Sequence, residues 1–284
     1  MADMQAKPGA RDMADRPDQR IISHYTIERE LAARLRAAPA NERARVYGEV
    51  YDELFRRVPD HPQLAIEPAQ RDHEVSQKLR FVSRFLDHRS CLMEIGAGDC
   101  AFSLRAAPMI RRGIVVDVSQ VIVSAARGTS NLEVVISDGT SLPVEPGSVD
   151  VAYSDQLMEH LHPDDALVQL ANVVRAVRPG GVYICITPNR VSGPHDVSRG
   201  FDEVATGFHL REYSAQEIRT MFLTAGFTDV DFYAGGRGRY VRIPTALALS
   251  AEVAFERLPL AVRRSKPSGL AAHVLLGLNI VATR

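Results

Sequence analysis

The sequence predicts an α/β protein built on a mostly parallel sheet, with helices on both faces and a helical cap near the N-terminus. Short apolar segments of strand length alternate with segments of helical spacing, which is typical of parallel strands joined by helices. A glycine turn, Gly96-Ala97-Gly98, directly follows the first of these strands. Because such a turn lets the backbone approach a ligand closely, it predicts a nucleotide-type cofactor at the carboxyl edge of the sheet.

The composition is ordinary for a globular protein, with 284 residues, of which 45% are hydrophobic and 24% charged. The formal net charge of −1 argues against bulk nucleic-acid binding, so no nucleic-acid partner is expected. Cys91, Cys100 and Cys185 show no metal-ligand spacing, and their odd number suits a cytoplasmic location. The N-terminus does not resemble a signal peptide, and no apolar run reaches the roughly 18 residues of a transmembrane segment.

Three regions are predicted along the chain. Residues 1–20 are rich in small, charged and proline residues and are expected to form a disordered tail. Residues 21–86 are expected to form the helical cap, because apolar residues recur at helical spacing, Pro39 separates a first pair of helices, and a third helix is predicted at 70–86. Residues 87–284 are then the core.

The core alternates strands and helices in chain order. Five strands are predicted at 91–95, 113–117, 132–136, 149–154 and 181–187, and helices at 101–110, 119–127, 164–177 and 214–225. Gly226 is expected to end the last of these helices, because glycine readily adopts the left-handed conformation found there. Two further strands are predicted at 227–233 and 274–283.

A basic and apolar segment interrupts this pattern near the C-terminus. Residues 237–266 hold seven arginines and lysines against two glutamates, a local balance of +5. An amphipathic insertion is therefore expected at 237–272. One interpretation is a helix packed on the core with a solvated basic face. The alternative is a patch for an anionic substrate, or for peripheral contact of 237–266 with a phospholipid membrane.

Acidic residues stand at or just after the ends of the first three strands, at Glu94, Asp117 and Asp138. Parallel strands bring their carboxyl ends to one edge of a sheet, so these side chains are expected to meet there. Asp117 is placed to accept hydrogen bonds from ribose hydroxyls, and Asp138 from an adenine amino group. Cys100 replaces the third glycine of a dinucleotide site, which favours a compact adenosine bearing a sulfonium over a pyrophosphate.

These residues belong to a longer set of motifs, at 94–100, 116–117, 137–139, 148–153 and 175–181. In this order the motifs resemble those of the class I S-adenosylmethionine-dependent methyltransferases. The resemblance implies an enzyme with S-adenosylmethionine as cofactor, and a Rossmann-like, seven-stranded sheet whose last strand is antiparallel. It places the glycines at the methionine end, Asp117 at the ribose and Asp138 at the adenine. The implied cofactor site comprises Glu94, which orders the turn, with Gly96, Ala97, Gly98, Asp117, Val118, Asp138 and Gly139.

Residues after the fourth and fifth strands are candidates for the chemistry. Methyl transfer to a hydroxyl requires removal of a proton, and imidazoles that titrate near neutral pH suit a general base. His160 and His162 follow the fourth strand, and His209 lies in the long irregular connection after the fifth. Asp155 and Gln156 are expected to shape the cofactor pocket.

Glu159, His160 and His209 also raise a metal hypothesis. Some methyltransferases carry Glu-x-x-Glu-His and a later histidine that bind a divalent ion, and this chain is similar except that Gln156 replaces the first glutamate. Because a neutral amide weakens such a site, three alternatives stay open: a histidine base, metal-assisted transfer, and a Glu-His pair that braces the loop. Surface or packing roles are given to His61, His73, His88 and His273.

The acceptor is expected to be a small molecule or a glycan. The stretches 156–165, 187–190 and 193–196 are similar to those of bacterial methyltransferases of sugar and cell-surface glycan pathways. That resemblance implies O-methylation of a sugar hydroxyl, with phosphate-bearing and lipid-linked acceptors included, and Arg190 or Arg211 could pair with an anionic group. A quinone or polyketide phenol is the alternative acceptor. The alternative from another class is a non-catalytic module that binds the cofactor.

Overall fold

Eight strands form one mixed sheet in the parts of the chain that the computed structural model describes, namely residues 19–61, 67–119, 122–264 and 276–284. The strands are β1 (Cys91–Ile95), β2 (Arg112–Asp117), β3 (Leu132–Ile136), β4 (Val149–Asp155), β5 (Val177–Thr187), β6 (Asp229–Gly236), β7 (Arg239–Ile243) and β8 (Leu278–Thr283). Their order is β3-β2-β1-β4-β5-β8-β6-β7. The direction of winding reverses between β1 and β4, where ligands bind in sheets of this kind.

The first five strands are parallel, whereas β8 runs antiparallel to its neighbours β5 and β6. The expected Rossmann-like, mostly parallel sheet with an antiparallel last strand is thus confirmed. The sheet has one strand more than the seven implied by the resemblance, because β7 pairs with β6. The two strands join through a tight turn in which Arg237 (φ 53°) and Gly238 (φ 76°) adopt positive φ angles.

Eight α-helices accompany these strands in the described residues. They are α1 (Gln19–Ala37), α2 (Ala40–Arg57), α3 (Pro68–Val82), α4 (Ala101–Ala106), α5 (Pro163–Ala176), α6 (Ala215–Ala225), α7 (Thr245–Glu256) and α8 (Leu260–Arg263). The helix predicted at 119–127 is instead a 3-10 turn at Ile122–Ala126. Since α1 begins at Gln19, the last two residues of the expected disordered tail are helical, and residues 1–18 lie outside the described residues.

Each face of the sheet buries its own cluster of apolar side chains. Along β1 the side chains alternate, so Cys91 and Met93 join one cluster and Leu92 joins the other. The first cluster includes side chains of α1, α2, α5 and α6, and the second includes those of α3 and α4. The cap helices therefore share the core of the sheet on both faces, and the three cysteines are free and buried.

The predicted insertion is described as far as residue 264 and contains β7, α7 and α8. Its remaining part, with Lys266 and His273, lies outside the described residues. Within the described part, five large apolar side chains are exposed, namely Val241, Leu247, Val253, Leu258 and Val262. No helix in the described parts of the chain is long and apolar enough to cross a membrane.

Candidate active site

The glycine turn lies between the ends of β1 and β2. Gly96 (φ 70°) and Gly98 (φ 52°) adopt left-handed conformations that disfavour other residues. The N–H of Gly96 donates to the carbonyl oxygen of Val116 at 2.9 Å, and the N–H of Gly98 donates to Oδ2 of Asp117 at 2.9 Å. A Cβ at position 96 would lie 2.9 Å from Cδ1 of Leu157, so the chain after β4 packs directly on the turn. The turn and the Asp117 carboxylate therefore form one braced unit.

Asp138 and Gly139 follow β3. The Asp138 carboxylate accepts hydrogen bonds from the N–H and hydroxyl groups of both Thr140 and Ser141. Burial would raise the pKa of Asp138, but these hydrogen bonds, led by those from Ser141, lower it to about 2. A Cβ on Gly139 would lie 3.7 Å from the ring of Tyr47, so α2 of the cap covers this loop.

Glu94 lies in the protein interior and contacts α4. Its Oε2 accepts hydrogen bonds from the N–H and the hydroxyl of Ser103, at 3.1 and 2.5 Å. Burial raises the pKa of Glu94 to about 8, so this carboxyl group is largely protonated at neutral pH. Glu94 thus ties β1 to α4, the two elements that the glycine turn connects.

Two cations of α3, which the sequence did not point to, contact the same edge of the sheet. Arg71 donates from Nε and Nη2 to the two carboxylate oxygens of Asp99, at 2.8 and 2.5 Å. Lys78 pairs with Oδ2 of Asp155 at the end of β4. The other oxygen, Oδ1 of Asp155, is buried without a hydrogen-bond partner. The α3 helix therefore bridges the glycine turn and the end of β4.

Glu159, His160 and His209 form a cluster beyond β4. One potential ligand atom from each residue lies within 4.8 Å of the other two. The imidazole rings of His160 and His209 meet edge to face, with ring centroids 4.9 Å apart. Glu159 and His160 belong to a short 3-10 turn, and His209 comes from the connection after β5. The fold therefore brings His209 to a Glu-His pair that lies about fifty residues earlier in the sequence.

Each histidine of this cluster is held through one ring nitrogen. Nδ1 of His160 is 3.0 Å from the carbonyl oxygen of Phe208, which makes this nitrogen the donor. Nδ1 of His209 is 2.7 Å from Oε1 of Glu212, a carboxylate that fixes the ring in the same manner. In this tautomer both Nε2 atoms are acceptors.

Glu159 is also held through one atom only. Its Oε2 accepts a hydrogen bond from the hydroxyl of Thr187 at 2.8 Å, whereas Oε1 is buried without a partner. Burial raises the pKa of Glu159 to about 7. Burial and the charge of His209 lower the pKa of His160 to about 3. Burial acts to lower the pKa of His209, but Glu212 and Glu159 raise it overall. The cluster can therefore accept a proton or hold a cation near neutral pH.

The remaining residues that the sequence placed in the site do not belong to the cluster of Glu159, His160 and His209. His162 lies outside the cluster and caps α5, where its Nδ1 accepts a hydrogen bond from the N–H of Asp164 at 3.3 Å. Gln156 is exposed and has a left-handed backbone conformation (φ 52°). Val118 is exposed beside Gly139, and Ala97 is buried in the glycine turn.

The cap adds an aromatic side chain to the site. Tyr51 of α2 is stacked on Phe208, with ring centroids 4.9 Å apart, and lies edge-on to His160 at 6.3 Å. In the sequence Tyr51 is one more apolar residue of a helical pattern, and nothing marks it as part of the site. Through Tyr51, helix α2 contacts the cluster at His160.

A cavity of about 360 Å³ adjoins Glu212, the residue that holds His209. Arg190 and Arg211, the arginines expected to face the substrate, both line it. Nη2 of Arg211 donates to Oε1 of Glu217 at 3.1 Å, and Nε of Arg190 lies 3.6 Å from Oε2 of Glu217. The lining is therefore rich in paired charges.

Residues 92–181 match the protein family described as a methyltransferase domain. A probable S-adenosylmethionine-dependent methyltransferase of Mycolicibacterium smegmatis is 32% identical over 161 residues, 55% of this chain and 58% of that protein. Another, from Mycobacterium tuberculosis, is 31% identical over 140 residues, 49% of each chain. An uncharacterised 37.1 kDa protein in a Streptomyces fradiae transposon is 30% identical over 242 residues, 80% of this chain and 67% of that protein. The chain spans only about half to three fifths of the two mycobacterial relatives.

Solved structures resemble this fold. A methyltransferase of Haloferax volcanii, in complex with the Trm112 methyltransferase activator, superposes with a TM-score of 0.55 at 19% identity, covering 76% of this chain and 91% of that one. A phosphoethanolamine N-methyltransferase of Haemonchus contortus gives a TM-score of 0.51 at 18% identity, covering 74% of this chain and 52% of that one. Because these identities are below 25%, the two structures show a shared fold and nothing about a shared activity.

Proposed function

We propose that this chain, whose residues 92–181 match a methyltransferase domain, is a class I S-adenosylmethionine-dependent methyltransferase that binds S-adenosylmethionine at the carboxyl edge of its sheet and methylates a hydroxyl group. The glycine turn, Asp117 and Asp155 lie at the ends of β1, β2 and β4, around the point where the winding of the sheet reverses. A nucleoside cofactor at this point would be within reach of all three.

The residues at this edge fit the parts of the cofactor. The glycine turn would hold its methionine end, Asp117 its ribose, and Asp138 with Gly139 its adenine. Each oxygen of Asp117 accepts one backbone N–H, from Gly98 and from Ser119, so each keeps a lone pair for a ribose hydroxyl. The bound cofactor supplies a methyl group on a positively charged sulfur.

The unused acceptor atoms of Glu159, His160 and His209 carry the proposal of a hydroxyl acceptor. A hydroxyl loses its proton during methyl transfer, so the site needs a group that takes the proton or acidifies the hydroxyl. One potential ligand atom from each of the three residues lies within 4.8 Å of the other two, and Oε1 of Glu159 is buried without a hydrogen-bond partner. Such an arrangement suits deprotonation of an acceptor placed next to the cluster.

The same geometry favours a divalent cation at the cluster. Two imidazole nitrogens and one carboxylate oxygen are a frequent donor set for such ions. Each donor residue is held at its other polar atom by Phe208, Glu212 or Thr187, which is how metal ligands are usually oriented. A cation there would lower the pKa of a coordinated hydroxyl. Without a cation, His209 fixed by Glu212 is the group placed to accept the proton.

The acceptor that we propose is a hydroxyl on a sugar or glycan, with phosphate-bearing or lipid-linked forms included. The cavity beside Glu212 is lined by five charged and four apolar residues, none of them aromatic, and the charged ones support this class because hydroxyl-rich ligands use many polar partners. A quinone or polyketide phenol would fit an apolar, aromatic lining better. Methylation of phenols but of no sugar would favour that second acceptor class.

Replacing Asp117 with Ala is expected to weaken the binding of S-adenosylmethionine about tenfold to a hundredfold, because hydrogen bonds to a charged group contribute about 1.5–3 kcal/mol. Isothermal titration calorimetry on the wild type and the variant measures this change. Asp60→Ala, at an exposed position of the cap, is the matched control. Unchanged affinity in Asp117→Ala would refute the ribose assignment, and no binding at millimolar cofactor would refute the proposed function. Cofactor binding without any methyl transfer would identify a binding module.

We also propose that the described part of the insertion touches an anionic membrane surface. Leu247 and Val253 of α7 are exposed, and the exposed Arg257 directly follows this helix, a combination of apolar and basic side chains that suits interfacial binding. Co-sedimentation is expected with vesicles of phosphatidylglycerol and not with phosphatidylcholine alone. Leu247→Glu with Val253→Glu should abolish it, whereas Leu167→Glu, at an exposed apolar site of α5, should not. Equal sedimentation of all variants would contradict this contact.

A further inference from the structure

A second cluster of two histidines and one carboxylate lies in the cap, apart from the candidate active site. His24 and Glu28 are one helical turn apart on α1, and His61 follows α2. Nε2 of His24 is 2.7 Å from Oε1 of Glu28, and Nε2 of His61 is 3.5 Å from the same oxygen. All three potential ligand atoms lie within 4.8 Å of one another. The sequence predicts only a surface or packing role for His61.

The cluster is buried but reaches the surface at one point. Glu28 and His61 are 4% and 8% exposed, whereas the side chain of His24 keeps 15% of its surface accessible. Oε2 of Glu28 accepts a hydrogen bond from the N–H of Phe208 at 3.2 Å. Gly207 passes so close that a Cβ there would lie 2.5 Å from this oxygen. The carboxylate is therefore held from behind while Oε1 faces both histidines.

The charge state of Glu28 is compatible with a ligand role. Burial would raise its pKa, but hydrogen bonds from His24 and His61 outweigh burial and lower the pKa to about 2. The carboxylate is thus ionised at neutral pH. A cation bound between the three side chains would replace the histidine protons as the positive charge that stabilises this carboxylate.

We propose that His24, Glu28 and His61 bind a divalent transition-metal ion such as Zn²⁺. Two imidazole nitrogens and a carboxylate oxygen match the donor set of three-ligand zinc sites, in which water takes the fourth position. The spacing of four residues puts both α1 ligands on one helix face. The accessible side of His24 gives the ion a path from solvent, and the N–H of Phe208 orients the carboxylate as an outer hydrogen-bond partner.

An ion at this place would connect the cap to the candidate active site through one residue. The N–H of Phe208 binds Glu28, and its carbonyl oxygen binds Nδ1 of His160. Glu28 is therefore a positioning residue for His160, and the ion would fix Glu28. This consequence rests on the proposed function, whereas binding of the ion itself does not.

The test is a zinc titration of the full chain in competition with a chromophoric chelator. It is best done in a His209→Ala background, where the active-site cluster has lost a ligand. One tight equivalent of Zn²⁺ is expected, absent after His24→Ala or His61→Ala and retained after His88→Ala, at an exposed position. Zn²⁺ should also raise the melting temperature of the background protein and not that of the His24→Ala form.

Two results would overturn the proposal: no tight zinc in the His209→Ala background, or the same stoichiometry after His24→Ala. His24 is partly exposed on a helix, so its replacement decides the matter even where His61→Ala does not fold. Zinc bound by the cap in a protein that transfers no methyl group would support this site and separate it from a failure of the proposed function.

Discussion

Replacing Glu159 with Gln is expected to lower kcat by about 10²–10⁴-fold, the range that proton-transfer groups contribute. The substitution keeps the size of the side chain and its contact with Thr187, but removes the charge at Oε1, the buried atom that has no partner. The Kd of S-adenosylmethionine should stay nearly unchanged, because Glu159 contacts none of the expected cofactor residues through a hydrogen bond. Initial rates with the acceptor, together with calorimetry of the cofactor, separate the two effects.

The pH dependence of this effect has a definite sign. Since burial raises the pKa of Glu159 to about 7, the carboxyl is protonated below that pH and competes poorly for a proton or a cation. Activity should therefore rise with pH through about 7, and saturating cation should move the rise to lower pH. His160, with a pKa of about 3, stays neutral and contributes no step in this range.

The controls distinguish a chemical role from a structural one. Glu145→Gln, in an exposed loop, should leave both kcat and the pH profile unchanged. A strong chelator should abolish turnover if the cluster holds a cation, and leave it intact if His209 alone accepts the proton. Full turnover by Glu159→Gln after chelation would eliminate a role in the chemistry for Glu159 and for a cation, and would leave His209 as the proton acceptor.

The parallel part of the sheet could be predicted because its signals are local. Strands buried on both faces have short apolar sequences, and the acidic residues at or next to their ends, Glu94 and Asp117, stand out in this apolar context. The positive φ angles of Gly96 and Gly98 favour glycine over other residues, so the two glycines in the sequence predict a turn at this place. Strand β7 was not predicted, because Arg239 and Arg242 interrupt the apolar pattern of its five residues, which were therefore included in the basic insertion.

The covering of the site could not be predicted, because it depends on contacts between elements far apart in the chain. Helical spacing predicted α3 but gave no reason why Arg71 should meet Asp99 or Lys78 should meet Asp155. Tyr51 could not be recognised as a site residue either, because its contacts with His160 and Phe208 join parts of the chain that are far apart in sequence. What the sequence did offer, a Glu-His pair and a later histidine, becomes a site only when the fold brings His209 to it.

Replacing Arg43 with Met is expected to destabilise the protein by about 3–5 kcal/mol, since it leaves a buried carboxylate without its partner. Arg43 of α2 donates from Nε and Nη2 to the two oxygens of Asp165 in α5, both at 2.7 Å. Both side chains are less than a tenth exposed, at 7% and 9%. The hydroxyl of Tyr47 donates to Asp165 as well, at 3.1 Å, so the network fastens the cap to the core next to Gly139. Urea denaturation followed by circular dichroism measures the loss.

The neighbouring Arg45 provides the matched control. It pairs with Glu49 on the surface of the same helix and is 63% exposed, so Arg45→Met should cost less than about 1 kcal/mol. Replacing both Arg43 with Met and Asp165 with Leu should recover most of the stability lost by Arg43→Met alone, because no unpaired charge then remains buried. If Arg43→Met and Arg45→Met were equally mild, the cap would be docked by apolar packing alone. The cofactor affinity of the double variant tests the position of α2. A weaker affinity than that of the wild type would show that the ion pair holds α2 next to Gly139, at the adenine end of the proposed site.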